Sequence, residues 1–423
     1  MTTLLGIEFV QEVDSPGVIA DAAAQLRHIL SDETIQPNEV MLLFESWAKS
    51  LDSREFDEIP GIVFLRMWLR RGTLEPIVAR ELGANSLDGG WTDYGRARYK
   101  AFPLGVIGHW PAANVEIQPI LSMTCALLGG NAALVRVPSD LVVLTRTLMS
   151  RLAQSDPGAR LARRIFVVAF DHRRQDLHEA MARSVDGAMI WGGQEAVLHV
   201  RSLPFPHWAR IAVFGPRISV AAMNAGAWNN PDDQKTWCLR MARDLWQFDQ
   251  QACSSPQVLF LERNAGQSTE QFLANLKIAF ETENQAHPRR TIPAVLSSAI
   301  AKARASWLLE DQAHKAIFPI GPDWTILVGS GADVPQPVQG KTLYVLEVDN
   351  LMDVVSKFDG NVQTLGLGMA DAERENQLAL LAGQRGVDRI VKLGRMHTFM
   401  PPWDGVDLIR PMVRMVRHVS STE

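Results

Sequence analysis

The stretch LGVIGHWPAANVEIQPILSMTCALLGGNAALVRV, residues 104–137, decides the fold. A short apolar run, Leu104–Trp110, precedes a helix-length segment, Val115–Leu128, and a second short run follows at Ala133–Val137. Strand, helix and strand at this spacing make a crossover unit, so the two strands are parallel. The pattern continues with a helix at Leu141–Leu152, a strand at Ile165–Phe170, a helix at Gln175–Ala182, and strands at Ala188–Trp191 and Arg210–Val213. Runs such as IFVVAF (165–170) fit strands buried on both faces. The expected architecture is α/β, a doubly wound parallel sheet of the nucleotide-binding type.

Upstream, the first hundred residues read as helices. Asp14-Ser15-Pro16 is a helix start, leading into an alanine-rich segment to about Leu30. Asn38 is a candidate cap for a second helix, with Val40, Leu43, Phe44 and Trp47 on one face. Two more helices are expected at Ile62–Arg71 and Leu74–Leu82. Downstream, a second α/β block begins near Asp232 with a long helix to about Gln250 and a strand at Gln257–Leu261. Further strands are expected at Thr325–Val328, Thr342–Leu346 and Arg389–Val391, and the tail Asp407–Val419 reads as a short strand or helix. This divides the chain into a helical segment (1–95), a dinucleotide-binding domain (96–230), a catalytic domain (231–395) and a C-terminal segment for bridging or oligomerisation (396–423). A cleft between the two blocks is expected to hold the site.

Composition narrows the function classes. Of 423 residues 47% are apolar and 21% charged, which excludes disordered, collagenous and coiled-coil readings. A net charge of −5 supplies no basic footprint for nucleic acid. No apolar run reaches the ~18–20 residues of a membrane span. The start, MTTLLGIEFVQEVDSP, lacks the basic and apolar regions of a signal peptide, so a cytoplasmic protein is expected. Three cysteines are too few for a disulfide framework and lack zinc spacing, so a cysteine here acts singly. Cys125 and Cys238 lie at helical packing positions. Cys253, in DQQACSSPQVLFLE (249–262), stands on a turn between a helix and a strand, where it is either a nucleophile or a half-buried loop residue. Gly192-Gly193, in AMIWGGQEAV (188–197), closes a strand and opens a helix; it is a tight turn or a pyrophosphate cradle.

QQACSSPQ (250–257) resembles the nucleophile segment of the acyl-CoA reductase family that includes the bacterial bioluminescence fatty-acid reductase subunits, within the aldehyde dehydrogenase superfamily. GVIGHWPAANVEIQP (105–119), LLGGNAALVRVPS (127–139), VQTLGLG (362–368) and LGRMHTFMPPWDG (393–405) resemble its other blocks, covering about Arg96 to Arg410 in order. The resemblance implies an aldehyde dehydrogenase-like fold of two doubly wound domains with an oligomerisation strand, for which Arg96–Pro103 is the candidate. It assigns Cys253 as the nucleophile, Asn114 as an oxyanion donor beside the Cys253 N–H, and Gly192 and Gly193 to the dinucleotide. Arg136 stands where the superfamily carries a lysine reaching the adenosine ribose; either its guanidinium favours NADPH through the 2′-phosphate or it is a surface arginine at a strand end. Arginines 160, 163, 164, 173 and 174 read as a solvated basic edge. His397 is a candidate for protonating a leaving group or for a structural hydrogen bond, and Trp403 for shaping the substrate mouth or a subunit contact.

Oxidising members of the superfamily carry a Glu-Leu-Gly-Gly segment whose glutamate activates water. The matching stretch is Val213-Phe214-Gly215-Pro216, and valine takes no proton from water. The expected reaction is NADPH-dependent reduction of an acyl-CoA, acyl-carrier thioester or acyl adenylate to the aldehyde through a cysteine-bound acyl group. The expected partners are an acyl donor or acyl synthetase and other copies of the chain, with no metal. The alternatives are an acyl phosphate reductase and a non-reducing acyl-transfer or scaffold subunit.

Overall fold

The computed structural model describes residues 10–228, 231–263, 268–289 and 291–419. Residues 1–9 of the start segment lie outside the described residues. The chain forms two compact units, Met1–Gly215 with Phe399–Glu423, and Pro216–Thr398.

The first unit contains strands β1 (Gln11–Glu12), β2 (Thr92–Tyr94), β3 (Ala97–Pro103), β4 (Val106–Trp110), β5 (Ala132–Val137), β6 (Ile165–Ala169), β7 (Gly187–Trp191) and β8 (Arg210–Phe214). Six of them make a parallel sheet in the order β1-β6-β5-β4-β7-β8. The chain runs outward from β4 through β5 to β6, then returns to the other side of β4 with β7. The switch point therefore lies between β4 and β7, and the crevice at the carboxyl ends there is where open α/β sheets bind ligands. The helix Pro16–Asp32 starts with proline in its first turn, as the sequence predicts, and buries Ile19, Ala23 and Leu26 on this sheet's core. The helix Pro37–Ser50 is capped by Gln36, not Asn38: the Gln36 backbone N–H donates to the Glu39 carboxylate at 2.9 Å in a capping box. Asn38 sits inside the first turn, and its amide donates to Asp88 at 3.1 Å.

The second unit contains β9 (Ile218–Met223), β10 (Pro256–Glu262), β11 (Lys315–Ile317), β12 (Thr325–Ser330), β13 (Thr342–Val348), β14 (Val362–Gly368) and β15 (Arg389–Lys392). Their order is β11-β12-β13-β10-β9-β14-β15, parallel except for the edge pair β11–β12. Along β10, Val258 and Phe260 enter one core cluster, and Leu259 and Leu261 enter the other on the opposite face. Burial on both faces is why PQVLFL shows no polar alternation. The sequence division at 230/231 groups β9 with the first block; in the structure β9 is an interior strand of this second sheet, between β10 and β14. The last strand, β16 (Val413–His418), returns to the first unit and pairs antiparallel with β3, which also pairs with β2. The tail expected as strand or helix is thus a strand.

Candidate active site

In the second unit, the helix Pro231–Trp246 ends in a short 3₁₀ turn, Gln247–Gln250, and the following loop delivers Cys253 to the amino end of β10. The loop is held by neighbouring strand starts. The Ser219 hydroxyl, on β9, donates to the Cys253 carbonyl at 2.7 Å, and the Gln363 side-chain N–H, on β14, donates to Cys253 Sγ at 3.3 Å. Cys253 is half-buried, whereas Cys125 and Cys238 are fully buried. Burial pushes both of those thiols well above their ordinary range. Their S–H groups point at backbone carbonyls, Leu121 O at 3.2 Å and Phe272 O at 3.8 Å.

His397 lies against the same loop. Its Nδ1 is 2.9 Å from the Ser254 hydroxyl and its Nε2 is 2.7 Å from the Asp244 carbonyl. A carbonyl only accepts, so Nε2 carries the proton and Nδ1 accepts from Ser254. The ring is buried, with Phe248 edge-on at 5.5 Å between centroids, and burial lowers its pKa to about 4. His397 is therefore a neutral ring that fixes the residue after the cysteine. The carboxylate of Asp244 accepts from Gly394 N at 2.5 Å and Met396 N at 3.3 Å, and burial raises its pKa to about 7. Gln363, Ser219 and Asp244 carried no sequence signal: a polar residue on a strand or helix announces a partner only when the fold is known.

In the first unit, three of the sequence candidates follow strands of the parallel sheet. Asn114 is exposed on the loop after β4, a loop closed by Ala112 N donating to the Gln118 side chain at 2.7 Å. Arg136 occupies the carboxyl end of β5, where its Nη2 donates to Phe170 O at 3.3 Å and its guanidinium lies 5.6 Å from the Phe170 ring centroid. Burial lowers its pKa, opposed by the nearby Asp171 carboxylate. Gly192 and Gly193 link β7 to the helix Gln194–Arg201. A Cβ built on Gly193 would meet nothing within 4 Å, so this helix start opens to solvent. Glu195 places a negative charge in the same first turn. Val213 packs its side chain against the unit's hydrophobic cluster.

Trp403 is buried and packs on Phe399 at 5.0 Å between centroids; Phe399 in turn meets Trp68 at 4.8 Å. The arginines expected as a solvated edge are more engaged than that. Arg160 and Arg163 pair with Glu33, and Arg164 is fully buried with its guanidinium donating to the Glu33 carbonyl. Among the described residues no group of three or more histidine, cysteine, aspartate or glutamate side chains could hold a metal ion, and no helix is long and apolar enough to cross a membrane.

The model of the acyl-CoA reductase (LuxC) family matches residues 20–417. The long-chain acyl-protein thioester reductase of Vibrio harveyi is 25% identical over 357 residues, covering 83% of this chain and 71% of that one. Among solved structures, an aldehyde dehydrogenase from Brucella melitensis biovar abortus 2308 superimposes with a TM-score of 0.71 at 13% identity, covering 96% of this chain and 89% of that one. Glyceraldehyde-3-phosphate dehydrogenase GapN from Methanocaldococcus jannaschii, solved with NADP, gives 0.68 at 11% identity, covering 97% and 96%. The chain spans 46% of the longer proline utilization A protein of Bradyrhizobium japonicum, which it also resembles, with a TM-score of 0.70 at 14% identity. The fold is that of the aldehyde dehydrogenases, and the chain belongs to the acyl-CoA reductase (LuxC) family of oxidoreductases that reduce activated acyl groups.

Proposed function

We propose that this enzyme reduces an acyl thioester, carried by coenzyme A or by a partner acyl-transferring protein, to the free aldehyde, with Cys253 as the acyl-accepting nucleophile. The observation that carries the reading is Cys253 itself: half-buried at the amino ends of β9, β10 and β14, with an amide N–H on its sulfur, while the other two cysteines are fully buried. The Vibrio harveyi relative is named for reduction of a long-chain acyl-protein thioester, which supports the same donor chemistry here.

The cofactor in this reading is NADPH. The carboxyl ends of β4, β5 and β7 fit a dinucleotide: an open helix start at Gly193, after β7, offers backbone N–H groups to a pyrophosphate, and Arg136, at the carboxyl end of β5 on the other side of β4, offers a guanidinium to a 2′-phosphate. The neighbour GapN was solved with NADP. When bound, the cofactor supplies the hydride that turns the acyl group into an aldehyde.

The residues of the chain do the rest. The Cys253 sulfur forms a bond to the acyl carbon while the carbon–sulfur bond to the donor breaks and its electron pair leaves with the donor thiolate. The Cys253 N–H and the Asn114 amide are the donors assigned to the oxyanion. Val213 in place of a carboxylate leaves the acyl-enzyme without that base for hydrolysis, which suits reduction over oxidation.

The test mixes the protein with NADPH and an acyl-CoA or an acyl-protein donor, following loss of reduced nicotinamide absorbance, aldehyde formation and acyl labelling by mass. Cys253→Ala is expected to abolish labelling and aldehyde together. Aldehyde formation that survives in Cys253→Ala overturns the nucleophile. Labelling of Cys253 without NADPH oxidation, whatever the donor, favours a non-reducing acyl-transfer subunit.

A further inference from the structure

The three thiols differ in the direction of their hydrogen bonds. Cys125 and Cys238 donate to carbonyls, an arrangement that only a neutral S–H can make. Cys253 Sγ accepts, from the side-chain N–H of Gln363. An N–H donor aimed at sulfur favours the thiolate.

The aim is built into the sheet. The register of β14 on β9 shifts between Val362 and Thr364, so Gln363 occupies a bulge, a feature that re-aims side chains. Gln363 is fully buried, and its amide orientation follows from its neighbours. Arg389 on β15 only donates, and its Nη1 gives a hydrogen bond to Thr364 Oγ1 at 3.0 Å. The Thr364 hydroxyl therefore donates onward to Gln363 Oε1 at 3.3 Å, which turns Nε2 toward the sulfur. A buried guanidinium, a hydroxyl and an amide form one chain of donors ending on Cys253, each polarising the next.

We propose that Gln363 is a catalytic residue of this reductase, its N–H holding the Cys253 sulfur as a thiolate, with Thr364 and Arg389 as positioning residues that set the amide's direction. The inference rests on the reading of Cys253 as nucleophile. The thiol proton passes to solvent, the sulfur lone pair is freed for attack on the acyl carbon, and Gln363 keeps its own protons throughout.

Charged and titratable groups on the elements around this loop include Asp244 and His397, Asp249 with its partners Arg289 and Lys341, Arg389, and Arg217, which pairs with Asp388 and donates to the Val362 carbonyl at 2.8 Å. His397 stays neutral above about pH 4, while Asp244 ionises near pH 7 and adds a separate inflection, which Asp244→Asn removes.

The experiment reads the pH profile of Cys253 alkylation by iodoacetamide, peptide by peptide in a mass spectrometer. In the folded wild-type protein the midpoint is expected at least about one pH unit below that of the same cysteine in urea. Gln363→Met, similar in size and without the donor, is expected to raise the midpoint by about one unit. Acyl labelling at pH 7 then falls about tenfold, while labelling above the midpoint changes less than about twofold. Gln363→Glu raises the midpoint further, and Thr364→Val gives a smaller rise. A folded wild-type midpoint equal to or above the unfolded one overturns the proposal even where a variant does not fold. So does an unmoved midpoint in folded Gln363→Met and Gln363→Glu. Failure of the nucleophile reading looks different: Cys253→Ala would keep its aldehyde formation whatever the alkylation profile.

Discussion

Acidification from pH 7 to pH 5 is expected to weaken the first unit and spare the second. Burial lowers the pKa of His109 to about 3 and of His178 to about 4, from an ordinary 6.5, and both lie in the first unit. A depressed histidine value means that the unfolded chain takes up a proton before the folded one. Stability is therefore intact above 6.5 and falls as pH drops toward the folded value. Integrated from pH 7 to 5, each ring removes about 2 kcal/mol, so the first unit loses about 4 kcal/mol. In the second unit His397 removes a similar ~2 kcal/mol, but Asp244 works in the opposite direction. Its folded pKa, near 7, is raised from 3.8, so the folded state binds a proton that the unfolded state does not, and acid adds back about 2 kcal/mol. The lowered carboxylates Glu39, Asp171 and Asp176 titrate below this window. Native-state hydrogen exchange, corrected for the intrinsic pH dependence, reads the two units separately. Protection in β4 and β7 is expected to fall about 10³-fold between pH 7 and 5, and protection in β9 and β10 by less than about tenfold. His178→Gln keeps an acceptor for the Trp110 indole N–H, which donates to His178 Nδ1 at 3.1 Å, and should recover about half of the loss. Equal loss in both units, or none in the first, refutes the assignment of these rings as buried neutral groups.

Other outcomes test the cofactor and oxyanion residues. Asn114→Ala is expected to lower the rate of Cys253 acylation by about 10²-fold with little change in thermal midpoint, because the residue is exposed; less than a threefold effect removes it from the oxyanion site. Arg136→Leu should weaken NADPH by about 10–100-fold and NADH by less than about threefold in fluorescence titrations, the difference being one charge-assisted bond to the 2′-phosphate. Equal weakening would show that its contacts with Phe170 are its whole role. Glu195→Gln removes a carboxylate from the helix start proposed for the pyrophosphate and should tighten NADPH about two- to fivefold at low salt, an effect that fades as salt screens it.

The parallel strands of the first unit were legible because each is a short apolar run followed by a helix-length segment. β9 and β14 were not. ISVAAM is brief and follows Gly215-Pro216, so nothing in composition separates it from β8, although the boundary between the units falls there. VQTLGLG carries glutamine, threonine and two glycines at buried positions, which erases the apolar signature of a strand. That same departure holds the chemistry, since Gln363 is polar because it answers Cys253, 110 positions earlier in the chain. The helix start at Gln36 went unseen because glutamine is an unusual cap and its reciprocal partner, Glu39, reads as an ordinary first-turn acid. Cys253, by contrast, was readable locally: the helix ends, small polar residues follow, and proline opens a strand.

What local reading could not supply is why the loop holds its course. Phe248, Asp249 and Gln250 are three successive non-glycine residues in the left-handed region, with φ of 55°, 52° and 62°. Each costs roughly 1–2 kcal/mol against an ordinary conformation. Such a run persists only where the surroundings over-determine it, and here they do. The Gln250 amide donates to Pro256 O at 2.9 Å and Thr342 O at 2.8 Å and accepts from Thr342 N at 2.8 Å, tying the turn to β10 and β13. Asp249 is paired with Arg289 and Lys341, both nearly buried. Phe248 lies against His397, which holds Ser254. Every residue from 248 to 250 is thus anchored to an element other than its own helix, and the anchors bracket Cys253 on both sides. Glycine at these positions would relieve the strain but discard the side chains that fix the turn. A turn meant only to reverse the chain would use glycine; this one positions a sulfur against the Gln363 amide N–H, and the strain is the consequence of that placement.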